Sequence, residues 1–184
     1  MITFQSTGNI ELLSQRKMAL FASKNTPSEL YNDALSLFHA LQDMPISLAG
    51  GWQAPLERHL FNRADPLKPA NYLYYLAKDI NGYRPSETER HLLEEKKLLV
   101  LSPEIKSKRP SQSFVKRRDD LLFSQIDSIL FLYISPGGRL DTYLLQLSSR
   151  KNKLYILNHP LNQPYFGEDI LAMDAENAGE LFGE

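Results

Sequence analysis

The stretch Ile129-Leu130-Phe131-Leu132-Tyr133-Ile134-Ser135-Pro136-Gly137-Gly138 decides the class of fold, because an unbroken apolar run leads straight into a turn of Ser, Pro and paired Gly. A strand covered on one face alternates apolar and polar residues, whereas a strand covered on both faces is apolar throughout. The run therefore predicts a central strand of a parallel sheet. Runs of the same kind stand at Met18 to Ala22, Ile46 to Ala49, Tyr72 to Leu76, Leu98 to Leu101 and Leu154 to Leu157, with helix-length segments between most of them. Such alternation predicts an α/β fold with a mostly parallel sheet of about six or more strands and helices on both faces.

Helix starts are also legible. Thr26-Pro27-Ser28-Glu29 reads as a capping box with Pro at the first helical position. Leu30, Ala34, Leu37, Phe38 and Leu41 then recur at helical spacing and predict the buried face. Ser86-Glu87-Thr88-Glu89 repeats the box for a helix expected to run to about Lys97. Phe114 to Ile126 carries an apolar stripe of Phe114, Leu121, Leu122 and Ile126, with Lys116, Arg117 and Arg118 near its start. Cations there oppose the helix dipole, a local misfit that points to a binding role.

The chain has 184 residues, 42% hydrophobic and 23% charged, which suits one globular domain. A domain near this size buries roughly 70% of the surface of its unfolded chain and needs no disulfide or metal to hold it. With no Cys, disulfides, thiolate metal sites and Cys nucleophiles are excluded, and a cytoplasmic location is permitted. The start, Met1 to Ser6, lacks basic and apolar signal regions, and no apolar run approaches membrane-spanning length, so neither a signal peptide nor a membrane span is expected.

The net charge of -1 hides an uneven distribution. Between residues 96 and 118 stand Lys96, Lys97, Lys106, Lys108, Arg109, Lys116, Arg117 and Arg118 against the single acid Glu104. A local basic stretch in a slightly acidic protein attracts a phosphate or a strand backbone without binding every polyanion; a solvated loop is the plainer reading. Glu168, Asp169, Asp174, Glu176, Glu180 and Glu184 have no basic residue among them, so 1–166 reads as one domain and 167–184 as an acidic tail, frayed or used for docking a protein partner.

Three loops follow predicted strands and precede predicted helices: Ser23-Lys24-Asn25, Gly50-Gly51-Trp52 and Ser135-Pro136-Gly137-Gly138. In a parallel sheet they share the carboxyl edge of the strands, where amides at helix starts favour anions and Gly lets a ligand approach the backbone. Neither G-x-G-x-x-G nor G-x-x-x-x-G-K-[ST] occurs, which argues against a standard dinucleotide oxidoreductase and an NTPase. His39, His59, His91 and His159 show no metal-ligand spacing, and Ser47 and Ser135 lie in no G-x-S-x-G elbow. No cofactor, metal or catalytic group is therefore predicted. Trp52 fits core packing better than base stacking.

Four strings occur in order in the second half: Gly82-Tyr83-Arg84-Pro85-Ser86-Glu87-Thr88, Lys97-Leu98-Leu99-Val100-Leu101-Ser102-Pro103-Glu104, Phe114-Val115-Lys116-Arg117-Arg118-Asp119-Asp120-Leu121-Leu122, and Gly137-Gly138-Arg139-Leu140-Asp141-Thr142. Together with Gly8-Asn9-Ile10-Glu11-Leu12-Leu13, Ala22-Ser23-Lys24 and Leu48-Ala49-Gly50-Gly51, they resemble the DNA-processing protein A (DprA/Smf) domain of the wider superfamily that also holds the LOG phosphoribohydrolases. The resemblance spans about Gly8 to Leu157 and implies a Rossmann-like three-layer fold. It departs from the family pattern at Gln53 and Glu57, where Asp and His are usual, and at Arg117-Arg118-Asp119, where the family has Arg-Asn-Arg.

The resemblance implies a non-catalytic module that binds single-stranded DNA or a nucleotide-type phosphate ligand, in DNA processing, uptake or recombination. Ser23, Lys24, Gly50, Gly51, Lys116, Arg117, Arg118, Gly137, Gly138 and Thr142 are the candidate contacts, with Arg117 or Arg118 as the phosphate fork and Trp52, Tyr83 or Tyr133 as stacking rings. The alternatives are a LOG-like nucleotide phosphoribohydrolase, with Glu57 or Asp141 as a substitute acid, and a nucleotide-sensing regulatory protein. A homodimer is compatible with exposed edge strands and with the family's habit.

Overall fold

The computed structural model describes residues 2–147 and 152–183. Eight strands form one sheet: β1 (Phe4–Gly8), β2 (Lys17–Ala22), β3 (Ser47–Gly50), β4 (Asn71–Tyr75), β5 (Leu98–Pro103), β6 (Ser128–Tyr133), β7 (Lys153–Leu157) and β8 (Ile170–Met173). Their order across the sheet is β1-β5-β4-β3-β2-β6-β7-β8, and every pairing is parallel except that of β1 with β5. The six strands expected from apolar runs are all present. The edge strands β1 and β8 carry mixed patterns, half exposed or exposed along most of their length, so no continuous apolar run marks them.

Among the described residues six α-helices cover the sheet: α1 (Tyr31–Gln42), α2 (Pro55–Phe61), α3 (Glu87–Glu94), α4 (Gln112–Gln125), α5 (Arg139–Leu147) and α6 (Ala178–Gly183). Side chains alternate across β2, so Met18, Leu20 and Ala22 pack under α1, α2, α3 and α6, while Ala19 and Phe21 pack under α4 and α5. Two cores on opposite faces give three layers, a Rossmann-like α/β fold. Within the segment expected as an acidic tail, Ile170–Met173 extend the sheet as β8, Met173 and Ala178 are fully buried, and α6 lies against α1. The acids hid an element whose inward positions are few but apolar.

Two helix ends differ from expectation for local reasons. Thr26 does not cap: its hydroxyl donates to the Ser23 carbonyl at 2.6 Å, a 3₁₀ turn spans Ser28–Leu30, and α1 begins at Tyr31. Ser86 and Glu89 do form the reciprocal box at α3. That helix stops at Glu94 because Lys96 takes a left-handed φ of 56°, which lets the Lys97 amide donate to the Leu92 carbonyl at 2.7 Å and the Lys96 amide to Leu93 at 3.1 Å. This Schellman stop normally uses Gly, so nothing in the residues announced it. Helix α4 starts at Gln112, capped by the Ser111 hydroxyl. Lys116 to Arg118 therefore sit past its first turn, and the expected clash with the helix dipole is largely avoided.

Candidate functional site

Strand order reverses between β2 and β6: the chain builds β3, β4 and β5 outward on one side, then returns to place β6, β7 and β8 on the other. The loops leaving β2 and β6 must diverge there, which opens a crevice at the carboxyl ends of the strands. The pairing slips at the same place, with Phe21 opposite Phe131 but Ala22 opposite Tyr133. A slip of this kind re-aims strand tips beside a site. The tips are stitched by the Ser23 amide donating to the Tyr133 carbonyl at 3.0 Å and the Ser135 amide donating to the Ser23 hydroxyl at 2.8 Å.

A cavity of about 490 Å³ occupies the crevice. Ala22 to Asn25 line it from the β2 loop, Gln53 to Pro55 from the β3 loop, and Ser135, Gly138, Arg139 and Leu140 from the β6 loop. The three loops thus meet in one place, as the parallel topology requires. A groove of about 880 Å³ adjoins it and shares Lys24 and Arg139. It runs past Pro110, Ser111, Gln112, Val115 and Lys116 at the start of α4 and Tyr143 of α5. Among the described residues no Asp or Glu lines either hollow, whereas Lys24, Lys116 and Arg139 do. Lys24 is exposed and makes no hydrogen bond or ion pair with a described residue.

Below this basic surface lies a buried ionic chain. Asp119, 1% exposed in its side chain, pairs with the Arg118 guanidinium through Oδ1 at 2.6 Å and with the half-exposed Arg139 through Oδ2 at 3.1 Å. The Tyr143 hydroxyl donates to the same Oδ2 at 2.9 Å, and Arg139 lies 5.5 Å from the Tyr143 ring centre. Burial, then the Asp119 charge, push the Tyr143 phenol up to about 12, so it remains a donor at neutral pH. Asp119 thereby holds Arg139 where crevice and groove join.

Glu57, at the third position of α2, is buried and accepts amide hydrogen bonds from Ala22 at 2.9 Å, Gln53 at 3.0 Å and Ala54 at 3.3 Å. Burial pushes its carboxyl up from the ordinary value, while the three amides and the Arg118 charge pull it down. Its oxygens are committed to backbone donors. Asp141 is likewise engaged, accepting from the Gly137 amide at 2.7 Å.

The expected contacts divide sharply. Ser23, Lys24 and Gly138 line the crevice, and Lys116 lines the groove while pairing with Asp120 at 2.9 Å. Gly137, with a φ of 70°, shapes the β6 loop, and Thr142 is exposed just beyond it, 3.5 Å from the Gly138 carbonyl. Gly50 and Gly51 are buried and are not among the residues lining either hollow. A Cβ on Gly51 would come within 2.7 Å of the Arg118 Cζ, so this glycine makes room for a guanidinium and not for a ligand. Gly51→Ala is expected to cost about 1–3 kcal/mol in chemical denaturation, the usual toll of overpacking. Arg118 is committed to Asp119, and Arg117 points away to the Glu104 carbonyl at 3.2 Å. Arg118 is buried in that pair, whereas Arg117 remains exposed. Trp52 is core, stacked on Phe61 at 4.7 Å with its ring N–H donating to the Leu73 carbonyl, and Tyr83 packs on Tyr74.

Sequence reasoning missed Asn25, Gln53, Arg139, Asp119 and Tyr143. Arg139 follows the Gly pair directly and begins a helix after an exposed loop, which was a usable signal. The role of Asp119 was not legible, because an Asp inside Arg-Arg-Asp-Asp gives no hint of which acid turns inward.

Among the described residues no group of three or more His, Asp or Glu side chains could hold a metal ion, and no helix is long and apolar enough to cross a membrane. Neither a protein-family model nor a curated protein gives a significant match. Among solved structures, DNA processing protein A from Streptococcus pneumoniae is similar over 96% of this chain, with TM-score 0.75 and 12% identity; this chain spans only 65% of that one. The Helicobacter pylori protein of the same name, described with its single-stranded DNA binding mode, matches over 98% of this chain and 79% of its own, with TM-score 0.68 and 15% identity. The molybdenum cofactor carrier protein of Chlamydomonas reinhardtii matches over 92% and 96% respectively, with TM-score 0.58 and 11% identity. At these identities the likeness is one of fold, and the chain has the Rossmann-like fold shared by DNA processing protein A and the molybdenum cofactor carrier protein.

Proposed function

We propose that the crevice and its adjoining groove bind a phosphate-bearing ligand of the nucleotide type, the backbone of single-stranded DNA, without catalysing a reaction on it. The observation that carries this reading is the pair Lys24 and Arg139, shared by both hollows and continued by Lys116, with no carboxylate among the described residues lining either. Cations spaced along an open groove suit a chain of phosphates better than one enclosed anion. The single-stranded DNA binding named for the Helicobacter pylori neighbour supports the same ligand.

The test is a salt titration of binding to a fluorescent oligothymidylate. Affinity is expected to fall steeply with salt, and Lys24→Ala or Arg139→Ala to flatten the slope by roughly one counterion each. Arg117→Ala is expected to leave the slope within error. No binding at low salt, or a slope that responds only to Arg117, would remove the proposal. A cytoplasmic location and a role in DNA processing, uptake or recombination belong to it. So does a homodimer formed through an exposed sheet edge, checked by sedimentation, and a protein partner for the exposed acids Glu168, Asp169, Glu176 and Glu180, checked by charge-reversal variants in a binding assay.

A further inference from the structure

The two edges of the sheet are finished differently. In β8 the Met173 carbonyl turns inward to the Asn158 amide at 2.8 Å, so Ile170 and Ala172 are the residues whose backbone faces outward. Both are taken: Ile170 bridges to Gly167 just before it, and the Ala172 carbonyl accepts from the Asn177 side chain at 3.1 Å. That edge is closed by its own chain. In β1 the Asn9 amide donates to the Leu98 carbonyl at 3.0 Å, which sets the phase of the antiparallel ladder. Gln5 and Thr7 therefore exchange bonds with Ser102 and Val100, while Phe4, Ser6 and Gly8 present their amides and carbonyls away from the sheet. Gln5 to Gly8 are exposed, and residues 2–10 hold no charge and no proline, the usual devices that keep an edge strand from pairing.

We infer that β1 is the surface on which a second copy of this chain docks, the two β1 strands pairing antiparallel about a twofold axis at Ser6. This narrows the proposed homodimer to one edge and does not depend on the ligand. In that register the strand is complementary to itself. Ser6 meets its own counterpart, Gln5 meets Thr7, and Phe4 falls opposite Gly8, so each residue with a free amide and carbonyl faces another. Paired hydroxyl and carboxamide side chains are favourable across strands, and an aromatic ring covers a facing glycine. The same register brings Ile2, 38% exposed, toward Ile10, 52% exposed, just beyond the strand end, which covers apolar surface as well. A foreign strand would find no charge on these side chains by which to be selected, whereas a second copy needs none. The axis stands normal to the sheet and joins two eight-stranded sheets into one, with their carboxyl edges pointing in opposite directions. Each crevice stays complete within one protomer.

The experiment is sedimentation velocity of the full chain over a concentration series, for the wild type, Ser6→Lys and Ser6→Pro. Pairing over five residues lies at the small end of protein interfaces, so the wild type is expected to dimerise at roughly 100 μM. Ser6→Pro removes an amide that β5 does not use, and Ser6→Lys sets two like charges on the axis; each is expected to raise the dimerisation midpoint by at least about tenfold. Because the chain has no Cys, a single substitution also reads the geometry. Under mild oxidation Ser6→Cys is expected to form a disulfide dimer at least about tenfold faster than Leu171→Cys on β8, since facing Cα atoms about 5.5 Å apart suit that bond. Should Ser6→Pro fail to fold, Ser6→Lys at its exposed position and the cross-link still decide. A wild type that stays monomeric throughout the series, leaving β1 to a foreign strand, overturns the inference together with the homodimer. A dimer that Ser6→Lys leaves intact, or equal cross-linking by Leu171→Cys, overturns the inference alone. The oligothymidylate titration reads the ligand function separately, and its outcome does not bear on the edge.

Discussion

Asp119→Ala is expected to lower the stability of the fold by about 3–5 kcal/mol, the range typical of removing one partner from a buried ion pair. The carboxylate is the common acceptor for Arg118, Arg139 and Tyr143, and Arg118 is itself 4% exposed in its side chain. Without Asp119 that guanidinium keeps the Glu57 charge as a distant counterpart but loses its direct bonds. Half-exposed Arg139 contributes little to the loss, since water can solvate it. Urea unfolding is expected to show a lower midpoint with an unchanged slope. Asp120→Ala is the matched control: its pair with Lys116 is exposed and should be worth less than about 1 kcal/mol. Equal losses from the two variants would mean that the buried chain does not hold the crevice floor.

Glu57→Gln has the second large effect, because the replacement keeps shape and reverses half of the chemistry. Oε1 accepts from one backbone amide and Oε2 from two, so whichever way the Gln amide turns, its NH₂ faces at least one backbone N–H. A buried donor left without an acceptor costs about 1–3 kcal/mol, and the reversed contact adds repulsion. The pH dependence has a definite sign. Burial, the leading influence, raises the Glu57 pKa in the folded state, so the folded protein holds that proton more firmly than the unfolded chain. The contribution of the carboxyl is fully present below the unfolded pKa and declines as pH rises through the folded one. The advantage of wild type over Glu57→Gln should therefore be greater in acid than near neutrality. Unfolding midpoints measured at both ends of that range check it, and a penalty that grows with pH would contradict the sign.

The legible part of this molecule was what apolar patterning controls. Strand β6 and its Gly turn gave the parallel sheet, and the sheet dictated that the loops after β2, β3 and β6 share one edge. Strands β1 and β8 escaped because edge strands bury too little to print a continuous run. The loops after β2, β3 and β6 do meet at one edge, and the side chains lining the hollows there are only in part those expected. Charge pattern pointed to Arg117 and Arg118 in the densest basic run, but α4 turns one outward to a carbonyl and the other inward to Asp119. The exposed guanidinium at the crevice is Arg139, an isolated cation that charge counting passes over. Gly51 looked like a ligand cradle and is in fact the gap through which Arg118 reaches beneath the β3 end. Such distinctions depend on which side of a helix faces a particular loop, and residue spacing does not encode that.

The most direct measurement is a crystal structure of the protein with a short oligothymidylate bound. The expected result places one backbone phosphate within hydrogen-bond reach of both Lys24 and the Arg139 guanidinium, with the strand continuing along the α4 groove toward Lys116 and no phosphate on the amides held by Glu57. A strand lying instead on the face carrying Lys106, Lys108 and Arg117, with the crevice vacant, would contradict it.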